Sequence, residues 1–517
     1  MGLFLKIIVF ISILSCMNCK SKIDADIVIY NGIIYTGIEK APDNTIIAVK
    51  NDTIIYIGDE EKVKVVALKR IDAMGQIVCP GFIDPHTHAD RDLIDLDKSN
   101  NEPFLFQGVT TVVVGNDGDS YYPTSKYKKL YSEQGIGTNA VLLTGHGTIR
   151  NQVIGKSDRP STPEEIKKMK EITQLEMNAG AFGISTGLFY APGSYADTQE
   201  VIALTEVVAK NDGIYDTHIR DESSYTVGLI KAIEEAIEIG EKVAIPIHIS
   251  HIKCLGVDVW KKSDTIIKLI NVARKKGIEI TANQYPYEAS ATGLIAATIP
   301  RWVESGGKDS IFVRYHNRKL TQKILDETKE NIIRRGGAEK LLIVNAENKD
   351  LIGKTLLEIS KQMHLSPEKT VFEIIKNNNI RVASFNMNNY DIINFMQQEW
   401  VVTGSDGNTG HPRKYGSFPR KYQMYVKQQN IIDLERFIKN STSKTAEIFK
   451  IPKRGIIKEG YVADIIIFDP ENFRDQANYI HPFQLSEGLV YSIINGKIAV
   501  ENGNFTGGKF GKVLSKK

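Results

Sequence analysis

Phe82-Ile83-Asp84-Pro85-His86-Thr87-His88 is the stretch around which the rest of this chain arranges itself. Upstream, Ile77-Val78-Cys79-Pro80-Gly81-Phe82-Ile83 is apolar and bounded by turn residues, which predicts one buried strand. Alternate side chains of an extended backbone face the same way. His86 and His88 can therefore aim two imidazoles at one point just past the strand's end. Two neutral imidazoles converging there make half of a divalent metal site. Taken alone, the pair fits two solvated loop histidines equally well.

Outward from that stretch the texture is strand, helix, strand, helix. Eight buried-strand candidates end near Ile83, Val114, Leu143, Ile184, Thr217, Ile249, Asn283 and Thr403. Thr162-Pro163-Glu164-Glu165 is a capping box with proline in the first turn, and Asp197-Thr198-Gln199-Glu200 opens the next helix in the same way. Helical spacing over residues 225 to 239 and 260 to 276 is expected to end at Gly240 and Gly277. Eight strands alternating with helices predict an α/β fold, a (β/α)8 barrel, with a doubly wound open sheet as the alternative. The last crossover is long, and its helical runs predict an inserted subdomain over about residues 288 to 398, at the barrel mouth.

Both flanks read as β structure. In residues 24 to 72, Asn31-Gly32 between Ile27-Val28-Ile29-Tyr30 and Ile33-Ile34-Tyr35 is a hairpin signal. Strand-and-turn patterning returns after a helical stretch at 430 to 449, with turns at Asn495-Gly496 and Asn502-Gly503. The expected organisation is a leader over 1–22, a first β-sandwich part over 23–76, the barrel with its insertion over 77–425, and a C-terminal helix with the second sandwich part over 426–517. In the leader, Lys6 precedes an apolar run from Ile7 to Leu14 and then Ser15-Cys16. That run is too short to span a bilayer and reads as an export signal. Ile13-Leu14-Ser15-Cys16 resembles a bacterial lipoprotein cleavage box, with Cys16 as the lipidated residue and a plain secretory signal as the alternative. The expected location is the bacterial cell envelope, periplasmic or membrane-anchored.

Composition excludes several classes. With 65 basic and 62 acidic residues the net charge is +3, which gives no case for nucleic acid as partner. The four cysteines, Cys16, Cys19, Cys79 and Cys254, form no disulfide scaffold and no paired zinc knuckle. An apolar fraction of 42% suffices for a sizeable core.

The chemistry collects at the strand ends, where barrel sites are built. Strand one supplies His86 and His88, strand two ends Asn116-Asp117, strand five ends Thr217-His218, strand six ends Ser250-His251-Ile252-Lys253, and strand eight ends Gly404-Ser405-Asp406-Gly407. Four of the ten histidines and two aspartates thus meet at one rim. His248, of opposite parity to His251, is expected to point away from the barrel interior. Cys254 reads as packing.

These residues carry a resemblance. Gly81-Phe82-Ile83-Asp84-Pro85-His86-Thr87-His88 resembles the metal signature of the amidohydrolase superfamily. Gly145-His146-Gly147-Thr148-Ile149-Arg150, Gly183-Ile184-Ser185-Thr186-Gly187-Leu188-Phe189-Tyr190, Ser250-His251-Ile252-Lys253, Gln284-Tyr285-Pro286-Tyr287 and His411-Pro412-Arg413-Lys414-Tyr415-Gly416 are similar to stretches of the N-acyl-D-amino-acid deacylases, or D-aminoacylases. The resemblance covers nearly everything after the leader. It implies a TIM-like barrel, a β-sandwich built from both chain ends, and a metal-dependent hydrolase releasing a D-amino acid from a small-molecule N-acyl derivative. By position it implies that His86 and His88 hold one metal and His218 and His251 a second, with a strand-two residue bridging. Asp406 is then both metal neighbour and proton shuttle. Lys253, Arg413, Tyr190 and Tyr285 become candidates for binding the substrate, although solvated ion pairs or rim packing would account for them too.

One departure stands out. The family pattern has cysteine where this chain has Asp117. A carboxylate is a harder ligand than a thiolate, so one or two ions are expected, zinc first, with manganese, cobalt or iron admitted by the aspartate. A cyclic-amide hydrolase of the dihydroorotase or hydantoinase kind is the alternative enzyme; strand four lacks the lysine such relatives use to bridge their metals. A surface lipoprotein that only binds ligand is the non-enzymatic alternative, against which Asp406 counts. The oligomeric state is left open by the sequence.

Overall fold

The computed structural model describes residues 21–516. The leader and Cys16 lie outside the described residues. Eight parallel strands form the central unit: β1 (Phe82–Asp84), β2 (Val109–Val114), β3 (Asn139–Leu142, resumed at Thr144–Gly145), β4 (Gly183–Gly187), β5 (Ile214–His218), β6 (Ile247–Ile249), β7 (Ile280–Gln284) and β8 (Val401–Thr403). The first segment of β3 pairs with β2 and the second with β4. Closure comes just beyond the strand ends. Thr87 bridges Gly407, and the Asp406 amide donates to the His86 carbonyl at 2.9 Å. The result is the (β/α)8 barrel expected from the strand count.

Alternation along each strand sorts the two barrel faces. Tyr215, Ile247, Ile249, Ile280, Ala282 and Val401 face outward into a core shared with helices Thr198–Lys210, Leu229–Val243 and Ser263–Lys275. Ile83, Val113, Val141, Phe182 and Ile214 fill the interior, plugged by Ala446, Phe449 and Ile451. The interior above this plug is polar.

Both chain ends build the second unit. One sheet orders Thr53–Asp59, Thr45–Lys50, Ser21–Tyr30 and Val63–Asp72. Its partner combines Ile33–Ile34 and Ile77–Pro80 with four strands drawn from residues 465 to 505. Their inner faces share a core of Ile29, Ile47, Val78, Ile465 and Ile493 among others. Between β7 and β8, strands Ala289–Gly293, Leu341–Asn345 and Arg381–Phe385 form an antiparallel sheet, packed with helices around Leu294, Ile324, Leu341 and Phe372.

Four local expectations are corrected. Asn31-Gly32 makes no hairpin: Tyr30 and Ile33 belong to different sheets, and the turn carries the chain across the sandwich. The apolar run Ile77 to Ile83 is two strands, not one. It breaks at Gly81, where an added Cβ would meet the Thr110 hydroxyl at 2.2 Å, so the chain passes from sandwich to barrel at a point of close approach. The helix expected to stop at Gly240 runs to Val243. Gly240 is there to admit Ile247, whose Cδ1 would lie 2.1 Å from a Cβ. Finally, His248 points inward. It is in register with Asp216 and Thr281, bonds Thr281 Oγ1 and Asn283 Nδ2 at 2.9 Å, and meets the interior Phe449 ring at 5.1 Å. The parity argument failed because His251 lies past the strand, with φ at 34°, where alternation no longer holds.

Candidate metal centre and active-site cavity

The strand ends converge on Asp117. Its Oδ1 stands 3.3 Å from His86 Nε2, 3.4 Å from His218 Nδ1 and 3.3 Å from His251 Nε2, and its Oδ2 is 3.6 Å from His88 Nε2. Asp406 Oδ1 lies 3.3 Å from His88 Nε2 and 3.8 Å from His86 Nε2. Two groups capable of holding an ion result: His86, His88, Asp117 and Asp406, and Asp117, His218 and His251. Asp117 belongs to both. Among the described residues neither group includes a cysteine. Cys254 is buried, with its thiol pushed up in pKa by that burial.

The spacing fits a metal better than a hydrogen-bond network. Most of these separations exceed ordinary N–H···O lengths of about 2.7–3.2 Å. They match the roughly 3.4 Å between donors placed tetrahedrally about 2.0–2.1 Å from one ion. Both ring nitrogens of His86 and of His218 are buried without a hydrogen-bond partner. Orphaned imidazole nitrogens of this kind are costly unless something binds them. The donor set of nitrogen and carboxylate oxygen suits zinc and equally the harder first-row ions.

Local structure explains how these side chains are aimed. Asp117, His251 and Asp406 all have left-handed backbones, with φ of 57°, 34° and 48°. Such conformations collect where a site must be shaped against local preference. Gly187 makes room for the Asp117 turn: a Cβ there would sit 2.0 Å from the Asp117 carbonyl oxygen. Asn116 ties the neighbouring ends together, accepting from the Thr87 amide and donating to the Pro85 carbonyl and to Asp216.

Charge follows geometry. Burial alone would raise the Asp117 carboxyl, but His86 and His218 hold it well below the usual range. Burial opposes ionisation of Asp406 too, yet Arg413, whose Nη2 lies 2.7 Å from Asp406 Oδ2, keeps it a carboxylate. Burial and Lys253 push His251 down, but Glu222 and Asp406 outweigh them and bring it up to about 9. Deeper in the barrel, burial raises Asp84 to about 7 and Asp216 to about 6.

A cavity of about 570 Å³ opens above this cluster. His88, Asp117, His218, His251 and Asp406 reach it; His86 lies beneath, fully buried. Lys253, Tyr190 and Tyr285 also line it. Lys253 Nζ is 2.7 Å from His251 Nδ1, the Tyr285 hydroxyl is buried without a partner, and the Tyr190 hydroxyl is 3.4 Å from Thr292 Oγ1. Arg413 stands elsewhere. It lies behind Asp406 with its guanidinium 4.5 Å from the Tyr285 ring centroid, and does not line the cavity.

Sequence reasoning missed Glu222. Its carboxylate bonds Lys253, lies 3.0 Å from His251 Nδ1 and 3.5 Å from His218 Nε2. A carboxylate four residues after a candidate ligand was the available signal. Arg381, Arg335 and Arg91 also line the cavity and were not anticipated. Arg91 follows His88 by three residues, whereas nothing local marks Arg381.

Residues 69–295 match the model of the amidohydrolase family. A D-aminoacylase from Alcaligenes xylosoxydans xylosoxydans is 30% identical over 95% of this chain and 98% of its own length. The solved N-acyl-D-glutamate deacylase of Bordetella bronchiseptica, complexed with zinc and a phosphonate mimic of the tetrahedral intermediate, is 26% identical. It superposes with a TM-score of 0.83 over 95% of this chain and all of its own. A solved D-aminoacylase with a binuclear metal centre is 29% identical, with a TM-score of 0.81 over the same shares. With its barrel, its shared aspartate and this extent of likeness, the chain belongs to the D-aminoacylase family of amidohydrolases.

Proposed function

We propose that this protein hydrolyses the amide bond of N-acyl-D-amino acids, giving a carboxylate and a free D-amino acid, with zinc as its first-choice ion. The observation that carries the reading is the convergence of His86, His88, His218, His251, Asp117 and Asp406 around one point, with all but His86 lining the cavity. The D configuration and the acyl-amino-acid class rest on likeness to the deacylases. A bound divalent ion would polarise the scissile carbonyl and acidify its water.

The chain's own residues do the rest. Asp406 accepts a proton from the attacking water and delivers it to the departing amine nitrogen. Arg413 holds one Asp406 oxygen, which orients the other toward the cavity and keeps the group ionised. Glu222 bonds Lys253 and abuts the two histidines, setting their rings. Lys253, with the free Tyr285 hydroxyl, is placed to receive the product carboxylate, and Tyr190 closes the wall beside His218.

The test is a hydrolysis panel of N-acetyl D- and L-amino acids, dipeptides and cyclic amides, repeated after chelation and metal add-back. Metal-dependent release confined to the D series is expected. Preferred opening of cyclic amides, or turnover that survives chelation, overturns the reading.

We infer in addition that the protein is exported and anchored through lipid on Cys16, because an apolar run from Ile7 to Leu14 ends in Ser15-Cys16. Among the described residues no helix is long and apolar enough to cross a membrane. Cys16→Ser should abolish labelling by a fatty-acid probe; persistent labelling refutes the anchor.

A further inference from the structure

A second cavity has no part in the chemistry described so far. Its volume is about 190 Å³, against about 570 Å³ for the active-site cavity, and the two share no lining residue. One stretch of chain serves both: Tyr285 and Ser290 line the active-site cavity, Tyr287 and Glu288 the second. Distant segments complete the wall. The inserted sheet gives Phe385, and the helix Arg413–Arg420 gives its last residue. The π-helical run Lys421–Gln428 that continues it gives Met424 and Tyr425. Tyr479 comes from the loop between two sandwich strands, Ile465–Phe468 and Leu489–Ile494. π-helical turns are uncommon and collect at functional sites.

Two groups of opposite sign face this aromatic space. Arg420 lies over the Tyr287 ring, 4.7 Å from its centroid. Its Nε donates to the Pro286 carbonyl at 3.0 Å and its Nη1 to Asp475 at 3.3 Å, while Nη2 has no hydrogen-bond partner among the described residues. The Glu288 side chain is exposed and makes neither hydrogen bond nor ion pair among the described residues. Both charges act on the same two hydroxyls. Burial pushes Tyr425 and Tyr479 up in pKa; Arg420 opposes the rise in each, and Glu288 adds to it. A free cation and a free anion beside one small aromatic cavity are complementary to a zwitterion.

The smallest common zwitterion with an apolar part is a free amino acid, and this volume, below that of a site for drug-sized ligands, suits a single one. The planar guanidinium suits a carboxylate. Glu288 and the tyrosine faces suit an ammonium group. An N-acyl amino acid has no ammonium and would leave Glu288 without a partner.

We propose that this second cavity binds a free α-amino acid with an aromatic or large aliphatic side chain, its carboxylate on Arg420 and its ammonium on Glu288. The ring or alkyl group lies among Tyr425, Tyr479 and Phe385. The assignment stands on this cavity alone and does not depend on the deacylase reading.

Calorimetric titration of the zinc-loaded protein tests it, with D-phenylalanine, L-phenylalanine, phenethylamine and 3-phenylpropionate as probes. At least one phenylalanine enantiomer should bind saturably and more tightly than phenethylamine, which lacks the carboxylate, and 3-phenylpropionate, which lacks the ammonium. Glu288→Gln should weaken that binding roughly fivefold or more, a loss set between an exposed ion pair and a charged hydrogen bond. Phenylalanine bound in the active-site cavity would not respond, because Glu288 does not line it. Arg420→Gln should weaken binding as well; if that variant does not fold, Glu288→Gln decides, since its carboxylate has no partner to lose. Absence of saturable phenylalanine binding, affinity unchanged in Glu288→Gln, or equal affinity for either half-ligand overturns the proposal.

Discussion

Asp406→Asn separates the two tasks assigned to one carboxylate. Arg413 takes Oδ2 at 2.7 Å, so Oδ1, 3.3 Å from His88 Nε2, is the oxygen free to accept a proton. Asparagine preserves the shape and removes the base. General-base catalysis is worth about 10²–10⁴ in rate, so turnover should fall by at least roughly a hundredfold, or ~2.7 kcal/mol in the barrier. A second cost falls on stability. Arg413 is only 1% exposed, and removing its counter-charge breaks a buried ion pair, for which losses of about 3–5 kcal/mol are typical. The retained amide oxygen can still accept from Arg413, so the observed loss should lie toward the lower end or below it. Metal should survive at Asp117, His218 and His251, a group to which Asp406 does not belong. The assay is D-amino-acid release by a coupled oxidase, with metal content by mass spectrometry and a thermal melt on the same preparation. Turnover within threefold of the parent, or loss of all metal, refutes the division of labour.

Other substitutions probe neighbouring parts of the argument. Asp117→Asn should weaken both metal positions, with activity partly restored by excess metal; full occupancy after dialysis would count against a bridging role. Asp117→Cys should shift preference toward zinc over manganese, and an unchanged order of metals would show that this side chain does not set it. His218→Ala or His251→Ala should each strip the ion held with Asp117, and a full metal complement in either variant removes these residues from the site. Glu200 supplies a pH prediction. Burial would raise its carboxyl, but bonds from His146 and Arg150 bring it from 4.5 to about 2. A depressed carboxylate stabilises above its unfolded pKa and loses that contribution as pH falls through the folded one. Glu200→Gln should therefore lower stability near neutrality by up to about 3 kcal/mol and flatten the acid limb between pH 4.5 and 2. A parent-like acid limb in the variant's urea unfolding refutes it.

Some features were legible because their signals are local. The capping box at Thr162 forms with both reciprocal bonds, and the Asp197 cap forms as well, since each needs only residues three apart. The turns at Asn495-Gly496 and Asn502-Gly503 join paired strands, whereas the same dipeptide at Asn31-Gly32 does not. An Asn-Gly sequence sets a left-handed turn but does not choose the strand's partner.

By itself the sequence determined the strand count, the alternation with helices and the residues standing at the strand ends, because hydrophobic period and turn chemistry are read within a few residues. Only the tertiary structure decided what those ends meet. Asp117 and His251 lie 134 positions apart, yet stand at 3.3 Å because barrel closure places the ends of β2 and β6 around one point. The same closure put Arg413 against Asp406 rather than in the cavity, turned His248 inward, and brought Glu222 between two histidines and a lysine. It also carried Arg381, from the inserted sheet, to the cavity wall. Such assignments depend on which groups neutralise which charges in a space shielded from water, and that is a property of the assembled cavity rather than of any segment of the chain.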